Sequence, residues 1–173
     1  MRYLFLAAFF LPSNFASGTV PAAREYRLRL FDTHSHERID VVYRRGDAYV
    51  PEALTQLDGF LRDHRAQKAA HYDPRLFDLL AELIAKVGRP DAEIDVICGY
   101  RTPWSNEFLR SRNRRSGVAR NSLHMKALAI DVRLPGVRTS RLRDAALALG
   151  RGGVGYYARS NFVHVDVGRV RRW

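Results

Sequence analysis

His124 stands in the run SLHMKALAID, seven residues before Asp131, and His164 stands in FVHVDV, two residues before Asp166. Residues two apart on a strand project from the same face, so this spacing predicts that His164 and Asp166 enter one site together. Asp131 lies in an otherwise apolar segment, where an unpaired carboxylate is costly to bury. A cation would neutralise it. Two neutral imidazoles and one carboxylate form a common catalytic zinc set that leaves a fourth position for water. A metal so held brings the pKa of its water to about 7 and polarises a carbonyl. A nearby carboxylate can then take the proton. Spacing alone leaves a plainer reading open, in which each His is a packed or surface residue.

These residues need elements to position them. Residues 127–134 and 161–167 alternate apolar and polar side chains and read as strands, as do 26–31, 39–43, 93–97 and 154–157. The first two of that second set, joined by the turn-like DTHSHER, form a β-hairpin. Helices are expected over 51–64, from Asp73-Pro74 to Val87, and over 139–150. The second has the clearest period, carried by Leu76, Leu79, Leu80, Leu83, Ile84 and Val87. Residues 104–115 read as partly helical, running into a very basic loop. Helices and antiparallel strands alternate irregularly. The expected class is therefore α+β: a single domain with a small central antiparallel sheet flanked by helices.

Three stretches in this order resemble the zinc D-alanyl-D-alanine peptidase superfamily, which includes the hedgehog signalling domain fold. They are GYRTPWSN at 99–106, SLHMKALAIDV at 122–132 and GGVGYYARSNFVHVDVGRVRRW at 152–173. The third is similar to the murein endopeptidase K (YcbK-type) branch, down to the terminal Trp173. The resemblance implies that His124, Asp131 and His164 hold one zinc ion (Zn2+). It matches Arg101 to the family arginine that holds a substrate carbonyl or carboxylate. Such a role suits a permanently charged fork of donors. Ser122 matches the serine preceding the first ligand and is expected to steady the ligand shell, with Tyr100 and Asn161 beside the substrate. A Ser-His-Asp triad of Ser122, His124 and Asp131 is rejected on the same match. The general base is where the chain departs from the pattern. Relatives carry a Glu three residues before the last His, or a His two before it, and those positions are Asn161 and Phe162 here. Asp166 is then expected to be either the base or the partner that receives a ligand's second N–H. Ala127 stands where many relatives carry Gly, with little effect expected. Cys98 is expected to be a buried small residue outside the metal set.

The implied activity is hydrolysis of peptide cross-links in peptidoglycan, D,D or L,D. The alternatives are a D,D-carboxypeptidase or dipeptidase on the same site, and a non-catalytic zinc-containing wall-binding module.

The chain has 173 residues, is 46% hydrophobic and carries a formal charge of +11, which suits an anionic partner such as stem peptides with free carboxylates. Nucleic acid is not expected as that partner, because the basic run from Arg110 to Arg120 lacks interleaved aromatics for base stacking. That run is expected to be a solvated loop lining the substrate groove. His34, His36, His64 and His71 are read as solvated or surface residues. With Cys98 as its only cysteine, the chain can form no internal disulfide. Met1-Arg2, an apolar run from Tyr3 to Leu11 and small residues after it describe a secretory signal over 1–23, cleaved after Gly18 or Ala23. The peptidase domain is then 24–173, exported to the periplasm. No later segment is long and apolar enough to span a membrane.

Overall fold

The computed structural model describes residues 23–112 and 118–173, so the expected signal lies outside the described residues apart from Ala23, as does the middle of the basic loop. The chain folds as β1 (Glu25–Asp32), β2 (Arg38–Arg45), β3 (Ala48–Tyr49), α1 (Pro51–Phe60), α2 (Arg75–Lys86), β4 (Glu93–Cys98), α3 (Pro103–Arg112), a 3-10 turn (Leu123–Lys126), β5 (Ala129–Arg133), α4 (Thr139–Leu149), β6 (Gly153–Tyr157), β7 (Phe162–Asp166) and β8 (Arg171–Arg172). The class is α+β. The strands form one eight-stranded sheet in the order β3-β2-β1-β4-β5-β7-β6-β8. It is mixed rather than wholly antiparallel, since β1 runs parallel to β4 and β6 parallel to β8. Two helices intervene between β1 and β4 and supply the crossover that a parallel pair needs.

Strand alternation sorts the sheet into two faces. Leu28 and Leu30 of β1, Ile94 and Val96 of β4, Ile130 and Val132 of β5, and Val163 and Val165 of β7 are buried in one core with Leu57, Leu76, Leu80, Leu83 and Leu142 from α1, α2 and α4. Asp131, His164 and Asp166 project from the other face. α2 follows its predicted period and ends at Lys86, and beyond its cap Val87 comes Gly88, whose φ of +76° suits a residue without Cβ. α1 stops at Phe60, four residues short of the expectation. There the carboxylate of Asp63 accepts the backbone N–H groups of Arg65 and Ala66 and binds Thr102 through both its N–H and its hydroxyl at 2.8 Å. That turn replaces the last helical turn and anchors the loop carrying Arg101. Among the described residues no helix is long and apolar enough to cross a membrane.

Candidate active site

The 3-10 turn that carries His124 begins at Ser122, whose extended backbone and Oγ cap it by accepting the N–H of His124 at 3.4 Å. It ends at Ala127, in the left-handed region at φ +51°. The local backbone thus explains why Gly suits that position. Asp131 enters from β5 and His164 from the adjacent β7, directly paired across the ladder. The three side chains converge. Asp131 Oδ1 lies 2.9 Å from His164 Nδ1 and 3.2 Å from His124 Nε2, and the two ring nitrogens are 3.1 Å apart.

The other nitrogen of each ring decides what this cluster can hold. His124 Nδ1 faces the carbonyl of Gly99 at 2.8 Å, and His164 Nε2 faces Asp166 Oδ2 at 3.0 Å. Both partners only accept, so both outer nitrogens carry the proton. In neutral rings the inner nitrogens then present lone pairs, and Asp131 adds a third. Three lone pairs meeting within 3.2 Å with no proton between them call for a cation. Tetrahedral ligation at about 2.0–2.2 Å spaces donors by about 3.3–3.6 Å, so the cluster is already close to metal-binding size. Electrostatics agree. Burial alone would raise the pKa of Asp131, yet the two imidazoles hold it well below the usual carboxylate range. Burial opposes charge on His124 too, yet Asp131 pushes its pKa up to about 10. When no cation is bound, a proton takes its place.

Cys98 is closer to this site than expected. It is half-buried, pairs with Asp131 across a β4–β5 irregularity, and its Sγ forms with the donors of His124 and Asp131 a group within 4.8 Å. In the set completed by His164 the donors lie within 3.2 Å of one another.

Asp166 is fully buried and does not reach the cluster of three donors. Its Oδ2 accepts from His164 and from Arg171 Nη2 at 2.7 Å. Its Oδ1 accepts from the N–H of Gly153, the N–H of Gly168 and Arg171 Nη1. Burial notwithstanding, these donors hold its pKa well below the usual range. A carboxylate with every lone pair engaged behind a ligand ring is placed to orient that ring, not to take a proton from water. Gly152 and Gly153 permit the arrangement, since a Cβ at either would collide with Asp166.

A cavity of about 160 Å³ opens in front of the cluster, bordered by Arg101, Asn121, Ser122, Tyr157, Arg171 and Trp173. Arg101 is buried. Its Nη2 donates to Ser122 Oγ at 3.1 Å, and its Nε has no partner among the described residues. Among the described residues no carboxylate pairs with it, which leaves it suited to an anionic group. Ser122 links Arg101 to His124 by accepting from both, which leaves its oxygen no role as a nucleophile.

Two expected residues lie elsewhere. Asn161 occupies the turn before β7 at φ +53°, and its side chain meets the hydroxyl of Thr139, away from the cavity. The turn conformation dictates that direction, so the position used by a Glu in relatives does not face this site. Tyr100 binds the Leu61 carbonyl through its N–H and borders a neighbouring cavity with His64, Arg62 and Arg101. His64 is itself partly buried and bonded to Asp32 at 3.0 Å, and His71 holds Asp58 at 2.8 Å. Both have structural partners that the sequence reading missed. So do Arg171 and Trp173, whose placement depends on the short terminal strand β8.

The family model described as peptidoglycan L,D-endopeptidase MepK matches residues 20–173. The chain belongs to this family. It is 42% identical over 168 residues to the peptidoglycan L,D-endopeptidase MepK of Escherichia coli strain K12, covering 97% of this chain and 90% of that protein. It is also 42% identical over 137 residues to the probable peptidoglycan L,D-endopeptidase MepK of Haemophilus influenzae, covering 79% of this chain and 73% of that one. No solved structure matches the chain significantly. Membership of the MepK family makes the cavity the place to seek peptidase chemistry.

Proposed function

We propose that this protein is an exported zinc peptidase that hydrolyses peptide cross-links of peptidoglycan, with L,D cross-links as the first substrate to test because the relatives are named for them. The observation that carries the reading is one cavity shared by three donors converging within 3.2 Å and a buried arginine with no acidic partner among the described residues. His124, Asp131 and His164 are the residues that would hold the metal. When bound, zinc supplies a Lewis acid that activates water near neutral pH and polarises a carbonyl.

The chain's own groups do the rest. The Gly99 carbonyl and Asp166 fix the imidazole tautomers, so that lone pairs face inward. Arg101, steadied by Ser122, takes a substrate carboxylate or the oxygen of the scissile carbonyl. Cross-linked stems carry free carboxylates, which suits Arg101 and the net charge of +11. Asp131 borders the cavity, whereas Asp166 is enclosed behind His164 and does not. The leader over 1–23 would direct the protein to the periplasm, leaving 24–173 as the working domain.

The test is muropeptide analysis. Purified protein is incubated with cross-linked sacculi, with zinc or with chelator, beside His124→Ala. Zinc-dependent loss of cross-linked dimers, absent in the variant, is the expected result. Release of free D-alanine with dimers intact would assign the site to a carboxypeptidase instead. Binding to sacculi without any cleavage would leave a wall-binding module.

A further inference from the structure

The cavity has an aromatic side that the metal cluster and Arg101 do not account for. Tyr157 and Phe162 stack there with ring centroids 4.5 Å apart, and Trp173 lies 5.1 Å from the His164 ring. Trp173 Nε1 donates to Tyr157 Oη at 2.9 Å. An indole N–H can only donate, so the phenol oxygen is the acceptor and its own O–H remains to be used. Among the described residues it has no acceptor, and Tyr157 borders the cavity that holds His124, Asp131, His164 and Arg101.

Trp173 is 51% exposed, yet it is fixed from several sides. Its N–H and carbonyl pair with Val154 and Tyr156 at 3.2 and 3.0 Å, and Arg171 lies over its ring at 4.9 Å. The indole packs over Gly155, where a Cβ would approach it to 2.7 Å. Such anchoring of an exposed indole on one hydroxyl fixes the direction in which that hydroxyl can donate.

We propose that Tyr157 is a hydrogen-bond donor to the oxygen that gains charge as the scissile amide carbon becomes tetrahedral, and that Trp173 is the positioning residue that aims it. The inference rests on the peptidase reading above. A neutral phenol gains most where charge appears only in the transition state, whereas the permanent charge of Arg101 suits a carboxylate already present in the substrate. The two donors then divide the work: Arg101 binds and Tyr157 stabilises.

The experiment compares wild type, Tyr157→Phe and Trp173→Phe, each loaded with zinc, on a purified L,D-cross-linked peptide dimer. It measures kcat and KM separately. Calorimetry measures binding of a phosphinate isostere of the cross-link and of the cleaved product. Tyr157→Phe is expected to lower kcat by about 100-fold with KM within about twofold. Phosphinate affinity should fall by a similar factor while product affinity holds. Trp173→Phe keeps an aromatic wall but frees the phenol, and is expected to lower kcat by about 3- to 10-fold. A Tyr157→Phe enzyme with unchanged kcat, or with only a raised KM, overturns the proposal. So does loss of zinc stoichiometry in that variant, which would make Tyr157 a support of the cluster. A wild type that binds zinc but leaves the dimer intact sinks the peptidase reading itself, and that failure is visible in the wild-type arm alone.

Discussion

Replacing Asp166 by Asn separates the two roles that the sequence leaves open for it. The carboxylate accepts five hydrogen bonds in a fully buried position, three on Oδ1 and two on Oδ2. An amide can keep only one acceptor oxygen. The less costly choice places its NH2 where Oδ2 stands, facing His164 Nε2 and Arg171 Nη2, and both contacts become donor against donor. Each costs about 1–3 kcal/mol, with the lower figure apt for Arg171, whose side chain can turn to solvent. With zinc holding the His164 tautomer, the expected loss of stability is about 2–4 kcal/mol, or a fall in Tm of about 5–15 °C; without the metal, a shift of the His164 tautomer leaves mainly the Arg171 contact, about 1 kcal/mol. The second consequence is chemical. His164 relieves the clash by moving its proton from Nε2 to Nδ1, the nitrogen that faces Asp131. Zinc affinity should then fall by about 10- to 100-fold. Scanning calorimetry reads the first effect, and zinc titration against a competing chelator reads the second. An Asp166→Asn protein with wild-type zinc affinity and stability, but no turnover, would refute this reasoning and restore Asp166 as the base.

Cys98→Ser should leave zinc bound at one ion per chain with activity within about threefold, because the His164 set is complete without sulfur; loss of the metal in elemental analysis would make Cys98 a ligand. Gly155→Ala should push the Trp173 indole off its seat, lowering kcat while zinc binding holds, and quenching or shifting Trp fluorescence would report the movement. Asp63 gives the pH dependence of folding. Burial raises its pKa, but the N–H groups and hydroxyl that it accepts outweigh this and hold it below the usual range. Its contribution is therefore complete above the unfolded value near about 3.9 and is lost as pH falls through the lower folded value. Thermal melts should show wild type losing its advantage over Asp63→Asn between about pH 5 and pH 2; a constant difference across that range would contradict the assignment.

The strands carrying Asp131 and His164 were legible in the alternation of ALAIDV and FVHVDV, whereas His124, on a 3-10 turn, joins them in the sequence only through the family resemblance. α2 was legible for the same reason, a period strong enough to need no tertiary help. What the sequence hid depends on contacts between distant segments. The 3-10 turn around His124 has no periodic signature, and only its fold against Gly99 reveals the carbonyl that fixes the ring. The family resemblance places Asn161 beside the substrate, but a left-handed turn sends its side chain to Thr139. β8 is two residues long, too short to announce itself, yet it places Arg171 and Trp173. The parallel pairing of β1 with β4 joins residues 64 apart, Arg29 with Glu93, and follows from the helices packed between them.

The central claim is that His124, Asp131 and His164 hold one divalent metal facing Arg101. Crystals grown with zinc, with data collected on both sides of the zinc absorption edge, test it most directly. The account predicts one anomalous peak at about 2.0–2.2 Å from His124 Nε2, Asp131 Oδ1 and His164 Nδ1. A peak bonded to Cys98 in place of His164, or no peak among these three residues, would contradict it.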